Sequence, residues 1–321
     1  MRAIPFIPLL LGGCLTLPAL AAQSSTDAAD WLNRLAQAEQ QQSFQGTFVY
    51  ERNGIFSTHE IWHLVQNGKV SERLLQLDGS AQEVVRVDGY TQCVSGTLAA
   101  GVGNASNASR RVLDPLKLMN WYDLKVAGES RVAGHKAVIV TLAPRDQHRF
   151  GVELHLDRET GLPLKSLLLN DNGQLLERFQ FTRLDTADTP AEAQLRPSGN
   201  CKPVSQVAAL ADNDAVRWRS DWLPPGFELT SSSVRQDPQT KSTVSSLMYD
   251  DGLARFSVFL EPLNGSAAVD TRTQLGPTVA VSRKVTTPKG EVMVTVVGEI
   301  PIGTAERIAL SMRALDAQAS K

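Results

Sequence analysis

His59-Glu60-Ile61-Trp62-His63 fits the pattern H-E-x-x-H, in which two imidazoles hold one zinc ion and the glutamate serves a hydrolase as general base. That chemistry needs a helix, because only there do residues four apart stand one turn above each other. Thr58, Ile61, Trp62, Val65 and the Asn67-Gly68 turn favour extended backbone instead. At ~3.3 Å per residue, two histidines so placed on a strand lie about 13 Å apart. They cannot share an ion. No glycine and histidine follow at metzincin spacing, and Glu83 is only a distant third ligand to offer, so no metal and no cofactor are expected. Other reactive arrangements are weaker still. There is no Gly-x-Ser-x-Gly elbow, and His135, His148 and His155 lie in or beside strand-like segments where a packed or solvated ring is the default. Asp250-Asp251 precedes Gly252 and reads as a turn. No catalytic residue is assigned, and binding is favoured over catalysis.

What the chain offers for binding is aromatic surface. Phe44, Phe48, Tyr50, Trp62, Trp121, Tyr122, Phe179 and Phe181 exceed what one covering helix needs, so a partly open sheet would present them to acyl chains. The plain alternative for each is core. Arg217, Arg219, Arg283 and Lys284 are the cations suited to a lipid phosphate or a partner, with solvated surface as the alternative. Trp222 and Phe227 flank a Pro-Pro-Gly turn in Trp218-Arg-Ser-Asp-Trp222-Leu-Pro-Pro-Gly-Phe227. The prolines withhold two backbone donors and Gly226 allows φ > 0, so the segment turns sharply and its aromatics can orient one folded unit on another or meet a partner.

Arg2, the apolar run Ile4 to Leu17 and Ala19-Leu20-Ala21 read as a signal peptide over residues 1–21, with export to the periplasm. The run is too short and too broken to anchor the chain in a bilayer. Leu11-Gly12-Gly13-Cys14 resembles a lipobox, which would instead leave a lipid on Cys14. In an oxidising compartment Cys93 and Cys201 can pair, worth ~4 kcal/mol in the chain-entropy model. A formal net charge of −2 leaves no basic footprint for nucleic acid. With 42% hydrophobic and 21% charged residues the chain can build ordinary cores, and its length suits two domains.

The elements that must position these residues begin with a helix, capped by Ser25 or Thr26 and buried through Trp31, Leu32, Leu35 and Ala38. From Phe44 the period changes to two, and short strands are predicted at 44–50, 58–65, 71–77, 82–87, 90–94, 136–142, 150–156, 164–169 and 174–184. Asn67-Gly68, Asp78-Gly79 and Asp88-Gly89 turn the chain between them. Residues 96–109 read as a mobile loop whose Asn104-Ala-Ser and Asn107-Ala-Ser match the glycosylation pattern by chance. A short helical piece is predicted at 114–121. The first domain is thus residues 22–185, a curved, mostly antiparallel sheet plugged by helices on one face. Residues 186–214 lack a period and read as a structureless linker. Residues 215–321 form a smaller α+β domain of five strands and a last helix, capped by Thr304 and buried through Ala305, Ile308, Ala309, Met312 and Leu315.

Taken together, certain segments resemble the RseB/MucB family of periplasmic anti-sigma-factor-binding regulators. They are Leu74-Leu-Gln-Leu-Asp-Gly79 with Glu83-Val-Val85, Leu156-Asp-Arg-Glu-Thr-Gly-Leu-Pro-Leu164, Trp222-Leu-Pro-Pro-Gly-Phe227, Tyr249-Asp-Asp-Gly252 with Phe256-Ser-Val258, and Val297-Gly-Glu299 before Ala305-Glu-Arg-Ile-Ala309. The resemblance runs over nearly the whole mature chain. It implies an open half-barrel like those of lipoprotein carriers, followed by a smaller domain. It also implies that the protein binds the periplasmic domain of a transmembrane anti-sigma factor, shields it from a stress protease and lets go when lipid or lipopolysaccharide acyl chains bind. A lipid or lipoprotein carrier is the alternative, a zinc hydrolase a remote one, and a homo-oligomer is left open. The family pattern requires neither the H-E-x-x-H nor the cysteine pair.

Overall fold

The computed structural model describes residues 19–96, 113–204, 218–236, 243–265, 267–288 and 290–315. The signal segment as far as Pro18, both Asn-Ala-Ser sites and Arg217 lie outside them. Helix α1 (Ala19–Gln41) buries Ala28, Leu32, Leu35 and Ala38 at three- and four-residue spacing. It is already under way at Ala19, so Ser25 and Thr26 lie within it rather than at its start. Among the described residues no helix is long and apolar enough to cross a membrane.

Strands β1 (Phe44–Arg52), β2 (Ile55–Gln66), β3 (Lys69–Gln76), β4 (Glu83–Val87) and β5 (Tyr90–Val94) follow as hairpins. Asn53-Gly54, Asn67-Gly68 and Asp88-Gly89 hold φ > 0 at both positions, which matches the twist that two-residue hairpins need. Helix α2 (Pro115–Leu118) is capped by the Asp114 carboxylate, which accepts from the Leu116 and Lys117 amides. Then come β6 (Tyr122–Val132), β7 (His135–Pro144), β8 (Gly151–Asp157), β9 (Pro163–Leu169) and β10 (Leu175–Asp185). Strand β6 lies outside the expected strands. Its apolar alternation through Tyr122, Leu124 and Val126 fades because Gly128 and Ser130 take the next positions on the same face, next to a register shift between Val126 and Gly128.

The linker is not structureless where it is described. After a 3-10 turn at Glu192–Leu195, β11 (Lys202–Pro203) pairs with β5 and extends the sheet. The eleven strands run in the order β11-β5-β4-β3-β2-β1-β10-β9-β8-β7-β6, antiparallel throughout and unclosed, so the sheet is an open half-barrel. α1 packs chiefly on β6, over a core of Tyr122, Leu124, Val138, Val140, Leu142 and Leu156.

Beyond the linker, β12 (Trp218–Ser220) precedes β13 (Glu228–Gln236), β14 (Thr243–Asp250), β15 (Arg255–Pro262), β16 (Thr271–Leu275), β17 (Thr278–Thr287), β18 (Gly290–Gly298), α3 (Ile302–Ser311) and β19 (Met312–Ala314). Six strands form a sheet in the order β13-β14-β15-β18-β17-β16, and β12 pairs separately with β19. Ala305, Ile308 and Ala309 of α3 are fully buried against this sheet. The expected cap at Thr304 is a misplacement, because the helix starts after Pro301 and Thr304 lies inside its first turn. Met312 is buried but belongs to β19, and Leu315 is exposed. The edge strand β16 lay outside the five expected strands, since its five residues are all exposed and carry no apolar period.

Candidate functional site

Five of the eight singled-out aromatics share one face. Registers of β1 with β10 set Phe48 opposite Phe181 and Tyr50 opposite Phe179, and Phe44 joins them along β1 beyond Gly46. The rings interlock, with centroids 4.7 Å apart for Phe48 and Phe179, 5.9 Å for Phe48 and Phe181, and 6.1 Å for Phe44 and Phe181. Gly46 makes this possible. A Cβ there would stand 2.8 Å from the Phe181 ring and 2.5 Å from the Arg183 carbonyl.

Along this face and α1 lies a hollow of about 560 Å³, lined by Leu35, Ala36, Phe44, Ile61, Phe179 and Phe181 and by Gly252, Leu253 and Arg255 of the second domain. That volume lies within the ~300–1,000 Å³ of small-molecule sites.

His59 and His63 are on the same face, each committed elsewhere. His63 stacks on Phe44 at 4.6 Å, with Nδ1 3.0 Å from Glu72 and Nε2 3.0 Å from the Glu39 carbonyl. His59 stacks on Phe48 at 5.1 Å, and its Nε2 meets the Ser57 hydroxyl at 2.8 Å. Burial holds the His59 pKa below the ordinary histidine value. Both rings sit on an extended strand, and among the described residues no three His, Cys, Asp or Glu side chains are grouped to hold a metal ion.

At one end of this face a polar cluster reaches the second domain. The Tyr50 hydroxyl donates to Glu177 at 2.6 Å, and Arg52 reaches the Thr278 hydroxyl at 2.5 Å and Glu299 at 2.9 Å. Burial raises the pKa of both Tyr50 and Glu177, each further raised by nearby carboxylate charge.

Trp62 is a correction. Strand alternation turns it away from His63 and out of the hollow, onto the outer face with Leu64 and Leu195. There the linker covers it. Arg73 lies over the Trp62 ring at 5.1 Å and donates to the Gln194 carbonyl at 3.0 Å and to Glu83 at 2.7 Å. Glu83 also accepts from the Ser198 amide and hydroxyl. Burial would raise the Glu83 pKa, but hydrogen bonds from Ser198 and Arg73 hold it below the usual value. A disulfide between Cys93 and Cys201 closes this strap.

Trp121, Tyr122 and Phe227 are corrected together, because they meet at the domain boundary around Arg149. The Arg149 guanidinium is buried and donates to Asp251 at 2.7 Å, Asp146 at 2.9 Å and the Pro225 carbonyl at 2.6 Å. It lies 5.7 Å from the Trp121 ring, 5.5 Å from Tyr122 and 5.1 Å from Phe227. The Tyr122 hydroxyl donates to Asp251 at 3.1 Å, and Phe227 is buried in the second core. Trp222 also faces this boundary. His148 meets its ring edge-on at 5.1 Å and reaches the Thr304 hydroxyl at 3.0 Å, while Arg307 covers the ring at 3.8 Å.

Of the cations expected to meet phosphate, the three among the described residues are engaged within the second domain. Arg219 pairs with Asp221 at 3.2 Å, Arg283 with Glu306 at 2.6 Å and Lys284 with Glu291 at 3.0 Å. Reasoning from sequence missed Arg149 and Arg52. A lone arginine carries no spacing signal, and only Asp146, three residues before Arg149, hints at a local anchor.

Profiles of the MucB/RseB N-terminal domain and the MucB/RseB C-terminal domain match residues 27–199 and 212–313. Over 306 residues the chain is 61% identical to the sigma factor AlgU regulatory protein MucB of Pseudomonas aeruginosa, covering 95% of this chain and 96% of that protein. The solved complex of Pseudomonas aeruginosa MucA and MucB is similar at a TM-score of 0.83 and 62% identity, over 91% of this chain and all of that one (100%). MucB in complex with MucA(peri) is similar at a TM-score of 0.79 and 61% identity, over 91% and 100%.

Proposed function

This chain belongs to the MucB/RseB family, and on that premise we propose that it is a periplasmic negative regulator of an envelope-stress sigma factor. It binds the periplasmic domain of a transmembrane anti-sigma factor, as its relative MucB is found with MucA. Binding shields that partner from regulated proteolysis. Lipid or lipopolysaccharide acyl chains entering the hollow end the protection.

The observation that carries this reading is the hollow itself, whose walls come from both domains. An acyl chain within it lies against Phe44, Phe179 and Phe181 on one side and the second domain on another. What fills the hollow therefore bears on how the domains sit.

The energies are commensurate. Micromolar attachment to a partner is about 8 kcal/mol. An acyl chain of about a dozen carbons gains a similar gross amount at ~0.8 kcal/mol per buried methylene, before ordering costs. Linkage requires that if lipid weakens partner binding, partner weakens lipid binding by the same factor. Calorimetric titration of an acyl amphiphile, with and without saturating anti-sigma periplasmic domain, tests this. Equal reciprocal factors are expected, and an acyl affinity untouched by the partner ends the release model.

A further inference from the structure

One wall of the hollow is foreign to the first domain. Gly252, Leu253 and Arg255 come from the turn between β14 and β15, and Leu253 also packs against the first domain's buried cluster around Leu32, Leu118 and Tyr122. The turn holds its own shape. Asp250 accepts from the Gly252 amide at 2.6 Å and from Arg255 at 2.8 Å, while Asp251 Oδ1 accepts from the Leu253 and Ala254 amides at 2.8 and 2.7 Å. Its seat is fixed separately, through Asp251 Oδ2, which receives Arg149 at 2.7 Å and Tyr122 at 3.1 Å. One carboxylate thus shapes the turn with one oxygen and docks it with the other. The outcome is an apolar side chain on a preformed turn, packed on another domain's buried cluster and forming part of the hollow's wall.

We infer that Leu253 is a wedge that competes with acyl chains for the hollow, so that acyl entry unseats the 250–255 turn and, through Asp251, frees the second domain from Arg149. The inference rests on the lipid-release reading and supplies its moving part. A leucine side chain buries fewer carbons than a long acyl chain, so the exchange favours the chain increasingly with length. Short chains bind without unseating the turn. Asp251 is the coupling point, because the docking bonds and the turn's internal bonds share its carboxylate.

The domain boundary offers a lock for testing this. Lys117 and Glu228 meet across it at 2.7 Å with both side chains accessible, so a Lys117→Cys, Glu228→Cys double variant can be bridged by a short bismaleimide. A fluorescent lauric acid derivative is titrated into the full chain, the Leu253→Ala variant, and the double variant before and after bridging. Leu253→Ala should bind the probe roughly threefold tighter or more, since the competing apolar group is reduced. Bridging should weaken the probe about tenfold or more, since only the unseated state takes the full chain. The unbridged double variant, which lacks the ion pair, is the reference against which bridging is read. Unchanged affinity on bridging, or weaker binding by Leu253→Ala, overturns the wedge while the lipid reading stands. Probe binding by none of the forms sinks the lipid reading and the wedge with it.

Discussion

Arg149 and Asp251 meet at 2.7 Å with both side chains fully buried, and this ion pair joins the two domains. Asp146 of the first domain, the Pro225 carbonyl and three aromatic rings complete the guanidinium's surroundings, so docking adds Asp251 and Pro225 to a local partner that Arg149 already has.

Removing one partner leaves the other charge buried and short of its main counter-charge across the boundary. Arg149→Ala should therefore destabilise the docked protein by about 3–5 kcal/mol, and Asp251→Asn by a smaller but similar order. Urea denaturation of both single variants and the double variant measures this. The double variant should cost much less than the sum.

Gly226 has φ +86°, and a Cβ there would stand 2.3 Å from the Trp121 ring. Gly226→Ala should cost about 1–3 kcal/mol through strain and overpacking. Shrinking the opposing ring with Trp121→Leu should recover part of the loss in a thermal melt of the double variant.

The disulfide spans a separation of 108 residues and holds the linker over Trp62. Replacing both cysteines by alanine should lower stability by about 2–4 kcal/mol. Acrylamide quenching assigned to Trp62, by difference against Trp62→Phe, should increase in the same variant if the strap lifts.

His59, His148 and His155 all have pKa values lowered from the ordinary 6.5, in each case first by burial. Around His148, Asp146 opposes the shift, and Arg307 and Arg149 add to it. The native state then binds fewer protons than the unfolded one. The stability these rings contribute is present above about pH 6.5 and is lost as pH falls from there through the native values. Denaturant midpoints measured across that window should fall with acidification, and His148→Asn should flatten the slope.

Periodic features were legible in the sequence, and features made by distant partners were not. Alternation through Phe44, Phe48 and Tyr50 and the Asn67-Gly68 turn announced the hairpins because strand period and turn chemistry are local. The extended backbone at His59 to His63 could be read for the same reason. Trp62 could not be assigned a face, because its cover is a 3-10 turn more than a hundred residues away. Trp121 and Tyr122 looked like lipid contacts until Arg149 and Gly226 drew them to the domain boundary. Arg283 and Lys284 looked available because Glu306 and Glu291 stand on other elements.

Linker docking on the outer face has a kinetic consequence. The chain is held on the first domain as far as Val204, whose amide donates to the Gln92 carbonyl at 3.0 Å, and Trp218 pairs with Ala314 in the second domain. If the domains separate, the short tether between those points keeps them at a millimolar-scale effective concentration. Reclosure is then a first-order event, insensitive to dilution, and the open form resets as soon as whatever holds it apart departs.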